Sequence, residues 1–102
     1  MKLILKDQTE VEINNFAEYS NIAKIPNQLE GIMMTIVNPS DETTVSGLEE
    51  ILTEDNLSEF TIERTDGIRN TIDGTKYQLY DIRKIMNDIV YSIEIVLKEK
   101  EV

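Results

Sequence analysis

The sequence predicts a small antiparallel β-sandwich or barrel with one short helix, and three observations carry that expectation. Apolar residues recur mostly at every second position, the period of a strand with one buried face. β-Branched residues are plentiful. Turn pairs, Asn38-Pro39, Asp66-Gly67 and Asp73-Gly74, divide the chain into short runs. A chain of 102 residues is expected to form a single β-rich domain over 1–102. Folding at that size buries roughly 60–70% of the surface the unfolded chain exposes, enough for a modest core.

Element by element, Leu3 and Leu5 alternate with Val11 and Ile13 across Lys6-Asp7-Gln8-Thr9, which reads as a β-hairpin with a short polar turn. From Asn14 to Pro26 the alternation weakens, and Phe16, Tyr19 and Ile22 at three-residue spacing predict a short helical turn that Pro26 ends. Residues 28–37, QLEGIMMTIV, read as a strand with Met33, Thr35 and Val37 on one face and Ile32, Met34 and Ile36 on the other. Apolar residues on both faces predict a central strand. Asn38-Pro39-Ser40-Asp41 is a turn. Ser46 is then expected to cap a helix from Gly47 to Thr53, with Leu48, Ile51 and Leu52 inward, Glu49 and Glu50 in water, and Ser46 and Glu49 at capping-box spacing. The carboxylates there also suit the positive end of a helix dipole. Glu59 to Thr65 reads as a strand with Phe60 and Ile62 inward, and the tight turn Asp66-Gly67 leads to Ile68–Ile72. Lys76–Ile85 and Ile89–Lys98 are two longer strands joined at Met86-Asn87-Asp88. In the last, Ile89, Tyr91, Ile93, Ile95 and Leu97 share a face, and Val90 and Val96 on the other make it central or covered. No internal repeat is visible.

The chain has no cysteine and no histidine. Thiolate nucleophiles, imidazole acid–base chemistry, disulfides and the usual zinc ligands are therefore missing together. Neither Asp-Gly pair has the preceding Asp or Asn of a calcium loop, and Ser46-Gly47 lacks the glycine that opens a nucleophile elbow. Gly31, Gly47, Gly67 and Gly74 are too dispersed to cradle a phosphate. No catalytic residue, metal or cofactor is expected. No secretory signal is expected from the opening apolar run, which Lys6 and Asp7 interrupt, so the sequon Asn56-Leu57-Ser58 reads as a coincidence. Tyr77, Tyr80 and Tyr91 read as covers over the edge of a β core before they read as an aromatic binding patch.

Charge is the feature that points outward. The formal net charge is −10, with a pI near 4.3, which argues against nucleic-acid or anionic-membrane binding. Between Lys24 and Arg64 there is no Lys or Arg, while Glu30, Asp41, Glu42, Glu49, Glu50, Glu54, Asp55, Glu59 and Glu63 accumulate. From these, Asp41, Glu42, Glu49, Glu50, Glu54, Asp55 and Glu59 are the candidate protein-binding acidic face, whose partner would present a basic surface. Arg64, Arg69, Lys76, Arg83 and Lys84 lie in the later hairpins, and this polarity also allows association of the chain with itself. The competing reading is solubility alone.

The stretch Thr53–Ile62, followed by Gly74, Tyr77, Leu79 and the strand Ile89–Leu97, together with the opening MKLILKDQTEVEI, resembles small β-rich proteins of phages and prophages of low-GC Gram-positive bacteria, often encoded among tail or other virion genes. The likeness covers about half of the chain, at both ends; Ile25 to Thr44 is unmatched. It implies a non-enzymatic protein-binding module, a virion- or tail-associated component found in the particle or the bacterial host cytoplasm, and it brings no active site. Small acidic inhibitors of host defence nucleases, anti-CRISPR proteins among them, are similar in composition. That likeness implies an alternative, in which the carboxylates stand in for DNA phosphates against a basic channel.

Overall fold

The opening alternation folds as a hairpin, β1 (Lys2–Ile4) against β2 (Glu10–Glu12), with Leu3 opposite Val11. The structure, a computed structural model, describes residues 1–19, 31–39, 43–86 and 91–100. Six further strands follow: β3 (Asn15–Tyr19), β4 (Gly31–Val37), β5 (Glu59–Glu63), β6 (Arg69–Asp73), β7 (Tyr77–Met86) and β8 (Tyr91–Glu99). They form two antiparallel four-stranded sheets, β2-β1-β5-β6 and β3-β4-β8-β7, so the architecture is a sandwich. Leu3, Leu5, Val11, Phe60 and Ile62 of the first sheet face Ile32, Met34, Ile36, Ile93, Ile95 and Leu97 of the second. All are buried, and no buried residue described is polar or charged.

β4 and β8 are central, as their two-faced apolar content predicts. Val96, on the outer face of β8, is fully buried. Residues 28–30 of the expected strand, Ile89 and Val90, and the joint at Asn87-Asp88 lie outside the described residues, as do Ile22, Pro26, Ser40 and Asp41.

Two expectations are corrected. Residues 15–19 are a strand rather than a helical turn: Phe16 pairs with Met34 and Ala17 with Met33, so the ladder to β4 takes up their backbone groups. The helix begins earlier than expected. Its cap is Thr44, extended at φ −122° and ψ 158°, whose Oγ1 accepts the Gly47 N–H at 3.0 Å. Helix α1 runs Val45–Ile51, with Ser46 inside it, so Ser46 and Glu49 make no capping box. Starting at Val45 adds a third apolar side chain to the inward stripe of Leu48 and Ile51, which favours Thr44 over Ser46. No carboxylate falls in the first turn of α1, and the dipole argument applies instead to α2 (Glu54–Leu57), whose cap is Thr53 and whose first turn holds Glu54 and Asp55. Leu48, Leu52 and Leu57 close the core from this side.

The hairpin turns of the first sheet share one geometry. Leu5 N–H donates to Thr9 O and Gln8 N–H to Leu5 O, both at 2.9 Å. Arg64 N–H donates to Ile68 O at 2.8 Å and Gly67 N–H to Arg64 O at 2.9 Å. Gln8 (φ 74°) and Gly67 (φ 88°) occupy the same left-handed position. Asp7 and Asp66 each accept the backbone N–H two residues on. Asp66-Gly67 is thus a three-residue loop with a glycine bulge. The second Asp-Gly serves another purpose: Asp73 caps a 3-10 turn, Gly74–Lys76, and Gly74 lies where an added Cβ would sit 1.6 Å from the Leu57 carbonyl oxygen.

A repeat that the residue identities hide is present in the topology. Exchanging β1–β4 for β5–β8 in order maps each sheet onto itself reversed. The central pairs Leu3↔Ile62 and Thr35↔Glu94, one in each sheet, are both separated by 59 positions. A pseudo-twofold relation therefore runs through both sheets. Strands need only alternation, so the two halves share a pattern and few residues.

Candidate functional site

The expected acidic face is assembled on three successive elements. Glu49 and Glu50 lie on the wet side of α1, Glu54 and Asp55 in the first turn of α2, and Glu59 at the start of β5. Asp41 and Glu42 lie outside the described residues. All five described carboxylates are exposed, but they are not equally available. Lys100 Nζ is 3.2 Å from Glu54 Oε1 and Lys6 Nζ is 3.7 Å from Asp55 Oδ1. Glu59 stands opposite Asp73 on the outer face of the first sheet. Only Glu49 and Glu50 form an adjacent pair with no ion pair among the described residues.

The same region is bound to the first hairpin by Asn56. Its side-chain Nδ2 donates to Asp7 Oδ2 (3.1 Å) and to Ile51 O (2.9 Å), and its backbone carbonyl accepts the Lys6 N–H (3.2 Å). The nitrogen of the sequon is therefore engaged in structure. Asp7 is held below the usual aspartate range by the Thr9 hydroxyl and N–H and by Asn56. Asp73 is lowered in the same way by the Thr75 hydroxyl and N–H.

The outer face of the first sheet carries a pattern that counting acids along the chain misses. Glu12, Lys2, Glu63 and Arg69 lie in register across β2-β1-β5-β6 and alternate in sign. Lys2 also pairs with Glu10 at 3.1 Å and Arg69 with Glu63 at 3.2 Å. Lys2 is raised above the ordinary lysine value, first by its hydrogen bond to Glu10 and then by the charge of that residue. Much of the acidity here is consumed as cross-strand pairing.

The second sheet is different. Its outer face has the rows Ala17, Met33, Val96, Asp81 and Asn15, Thr35, Glu94, Arg83, with Val37, Ser92 and Ile85 beyond. Val37 is 47% exposed and Ile85 37%. Tyr80 stands at a bulge in β7 with Lys98 Nζ 5.6 Å from its ring centre, and Met86, 72% exposed, ends the strand. Tyr77 and Tyr91, by contrast, pack against the core. The signal was available in the sequence as apolar residues on both faces of β4; what it lacked was the burial that separates covered Val96 from open Val37.

A cleft of about 580 Å³ lies between β2, the end of β4 and α1, with Val11, Ile36, Leu48 and Ile51 in its walls and Glu10 and Glu12 along one side. Among the described residues no group of three His, Cys, Asp or Glu is placed to hold a metal, and no helix is long and apolar enough to cross a membrane. Lys2, Asp7 and Asp73, whose protonation is shifted, all lie at the surface. Each follows from a pairing that holds a turn or a ladder. Compared with known proteins, the chain matches no family model, no curated protein and no solved structure.

Proposed function

We propose that this chain is a non-enzymatic protein-binding module, a virion- or tail-associated structural component of a phage or prophage, and that it binds through the outer face of β3-β4-β8-β7. One observation carries the reading. Val37 and Ile85, two of the exposed large apolar side chains among the described residues, lie in one row across the outer face with Ser92 between them, and exposed Tyr80 belongs to the same strand as Ile85. Apolar side chains gathered on one face mark an interaction surface more often than the same number scattered singly. The likeness of both ends of the sequence to small phage proteins supplies the biological setting.

The acidic-inhibitor reading draws support from Glu49 and Glu50, which extend into solvent side by side. It is weakened by Lys100 and Lys6, which neutralise Glu54 and Asp55 within the chain. Gradient fractionation of particles carrying the gene separates the two. The chain should sediment with particles in high salt, and should leave them when Val37→Glu and Ile85→Glu are combined. Recovery instead with a soluble nuclease, in a complex dissolved by salt and lost on Gln or Asn replacement of Glu49, Glu50, Glu54, Asp55 and Glu59, would refute the structural role.

A further inference from the structure

We infer that β6, the outer strand of the first sheet, pairs antiparallel with β6 of a second copy about a twofold axis through Thr71, so that the two four-stranded sheets become one. Backbone geometry supplies the seam. Arg64 N–H donates to Ile68 O and Gly74 N–H to Ser58 O, so in the β5–β6 register Asn70 and Ile72 turn their backbone groups toward β5. Arg69, Thr71 and Asp73 therefore turn theirs outward, and among the described residues no hydrogen bond takes up those N–H and C=O groups. The strand keeps a regular register over its five residues, RNTID, with no bulge, proline or lysine to blunt it, and is exposed except at half-buried Ile72. An open edge of this kind is a template for another strand.

Charge decides the occupant and the register. With Thr71 opposite its counterpart, Arg69 of each copy stands opposite Asp73 of the other, and these pairs exchange about six backbone hydrogen bonds in all. Arg69 reaches Glu63 through Nε, which leaves its terminal guanidinium nitrogens for a second carboxylate. Asp73 Oδ1 accepts from Thr75, while Oδ2 accepts nothing among the described residues. Within one chain Asp73 faces Glu59, a like-charge pair, and the second copy brings a cation to it. A slide of the seam by two residues either way loses both ion pairs. The opposite edge cannot do the same: Ile13 N–H donates to Met1 O, so β2 turns Glu10 and Glu12 outward, and a twofold pairing there sets acid against acid. Five residues at about 3.3 Å make a seam about 17 Å long. That is narrow beside the about 800 Å² each partner buries in a standard stable interface, and the net charge of −10 opposes any approach of two copies. The dimer is therefore reversible, and it leaves the row Val37-Ser92-Ile85 on the other sheet free.

Sedimentation velocity of the purified chain from micromolar to millimolar concentration should show a monomer–dimer equilibrium that stops at the dimer. Hydrogen exchange locates the contact: the Arg69, Thr71 and Asp73 amides, open in dilute solution, should gain protection at high concentration, while those of Asn70 and Ile72 are protected in both. Thr71→Pro deletes an outward N–H that makes no bond in the single chain, so the fold should be kept and association weakened roughly tenfold or more. Arg69→Asp and Asp73→Arg should each be monomeric alone and should associate when mixed. Val37→Glu with Ile85→Glu should leave the dimer intact, so this inference and the outer-face reading fail separately. Thr71→Cys, a unique thiol in this chain, keeps the test decisive if the charge variants fail to fold. Hydrogen-bonded partners across an antiparallel pair have Cα atoms about 5.5 Å apart, within disulfide range, so mild oxidation should join copy to copy. Ser92→Cys, on the other sheet, should stay single. A wild-type chain that stays monomeric throughout and whose Thr71→Cys variant does not cross-link overturns the inference. So does a dimer without new protection at Arg69, Thr71 and Asp73, one that Val37→Glu with Ile85→Glu dissolves, or growth into longer species.

Discussion

Gln8 and Gly67 occupy equivalent left-handed positions in two matching turns, and only one of them is a glycine. Replacing Gly67 by Ala places a Cβ in open space but in an unfavourable backbone region, for a cost of about 1–2 kcal/mol. Gln8→Gly should do the reverse and raise stability by about 0.5 kcal/mol, the relief being partly offset by a freer unfolded chain. Chemical denaturation of both variants checks the pair. Gly74 answers to space rather than to dihedral angle. With the Leu57 carbonyl 1.6 Å from where a Cβ would stand, Gly74→Ala should cost more than about 3 kcal/mol or prevent folding. Both glycines were legible as turn residues; that Gly74 is there to let two backbones meet depends on α2, 17 positions earlier, and no local pattern announces it. Acid should act on the aspartates at these turns. Asp7 and Asp73 have folded-state values below their unfolded ones, so their contribution is complete above the ordinary aspartate value and disappears as pH falls through the folded one. The melting-temperature gap between wild type and Asp7→Asn should be widest near neutrality and close as pH falls through the lowered folded-state value.

At the scale of elements, the strands were read largely correctly and the helix boundary was not. Alternation is a direct consequence of burying one face, so β1, β2, β5, β7 and β8 announce themselves. A cap is decided by which of two competent residues, Thr44 or Ser46, lets the following side chains reach the core. Val45 beside the core resolves it, and that contact is tertiary. Thr44→Ala should therefore cost about 1 kcal/mol, whereas Ser46→Ala, inside the helix, should change stability by no more than about 0.5 kcal/mol and in the favourable direction. Thermal unfolding of the two variants side by side distinguishes them; equal losses would mean that Ser46 shares the cap. Strand β3 was missed for a related reason. As an edge strand it buries only part of Phe16, and without β4 beside it the three-residue spacing to Tyr19 outweighs one inward side chain.

For the whole molecule, net charge along the chain was a poor guide to charge in space. The middle of the sequence is acidic without interruption, yet the fold brings Lys6 to Asp55, Lys100 to Glu54 and Arg69 to Glu63 from segments far apart in sequence or across a hairpin. Exposed pairs of this kind contribute little individually to stability. Their larger effect is to leave Glu49, Glu50 and Glu59 as the uncompensated part of the described acidic face, while a partly apolar row, Val37-Ser92-Ile85, emerges on the other sheet. The sandwich itself was legible because every central strand is two-faced or strictly alternating. The division into two sheets depends on which strands pair, and the central partners lie far apart, as Leu3 and Ile62 or Gly31 and Lys98 do.

The pseudo-twofold arrangement implies that the chain is two interlocked pieces. Each half supplies one hairpin-like pair to each sheet, and the halves meet along the β1–β5 and β4–β8 seams, through the core between the sheets, and where Asn56 binds Lys6 and Asp7. Neither piece has both walls of a sandwich complete, so each should be largely unstructured by itself. A chain severed between Ser40 and Asp41 leaves all eight strands whole. Its two fragments, expressed separately and mixed, should recover the strand-dominated circular dichroism of the intact protein, with a melting temperature that rises with fragment concentration. A fragment that folds alone, or a mixture that shows only the sum of two disordered spectra, would mean that the seams do not hold the molecule together. Recovery would make the native state a heterodimer whose two subunits happen to be joined end to end.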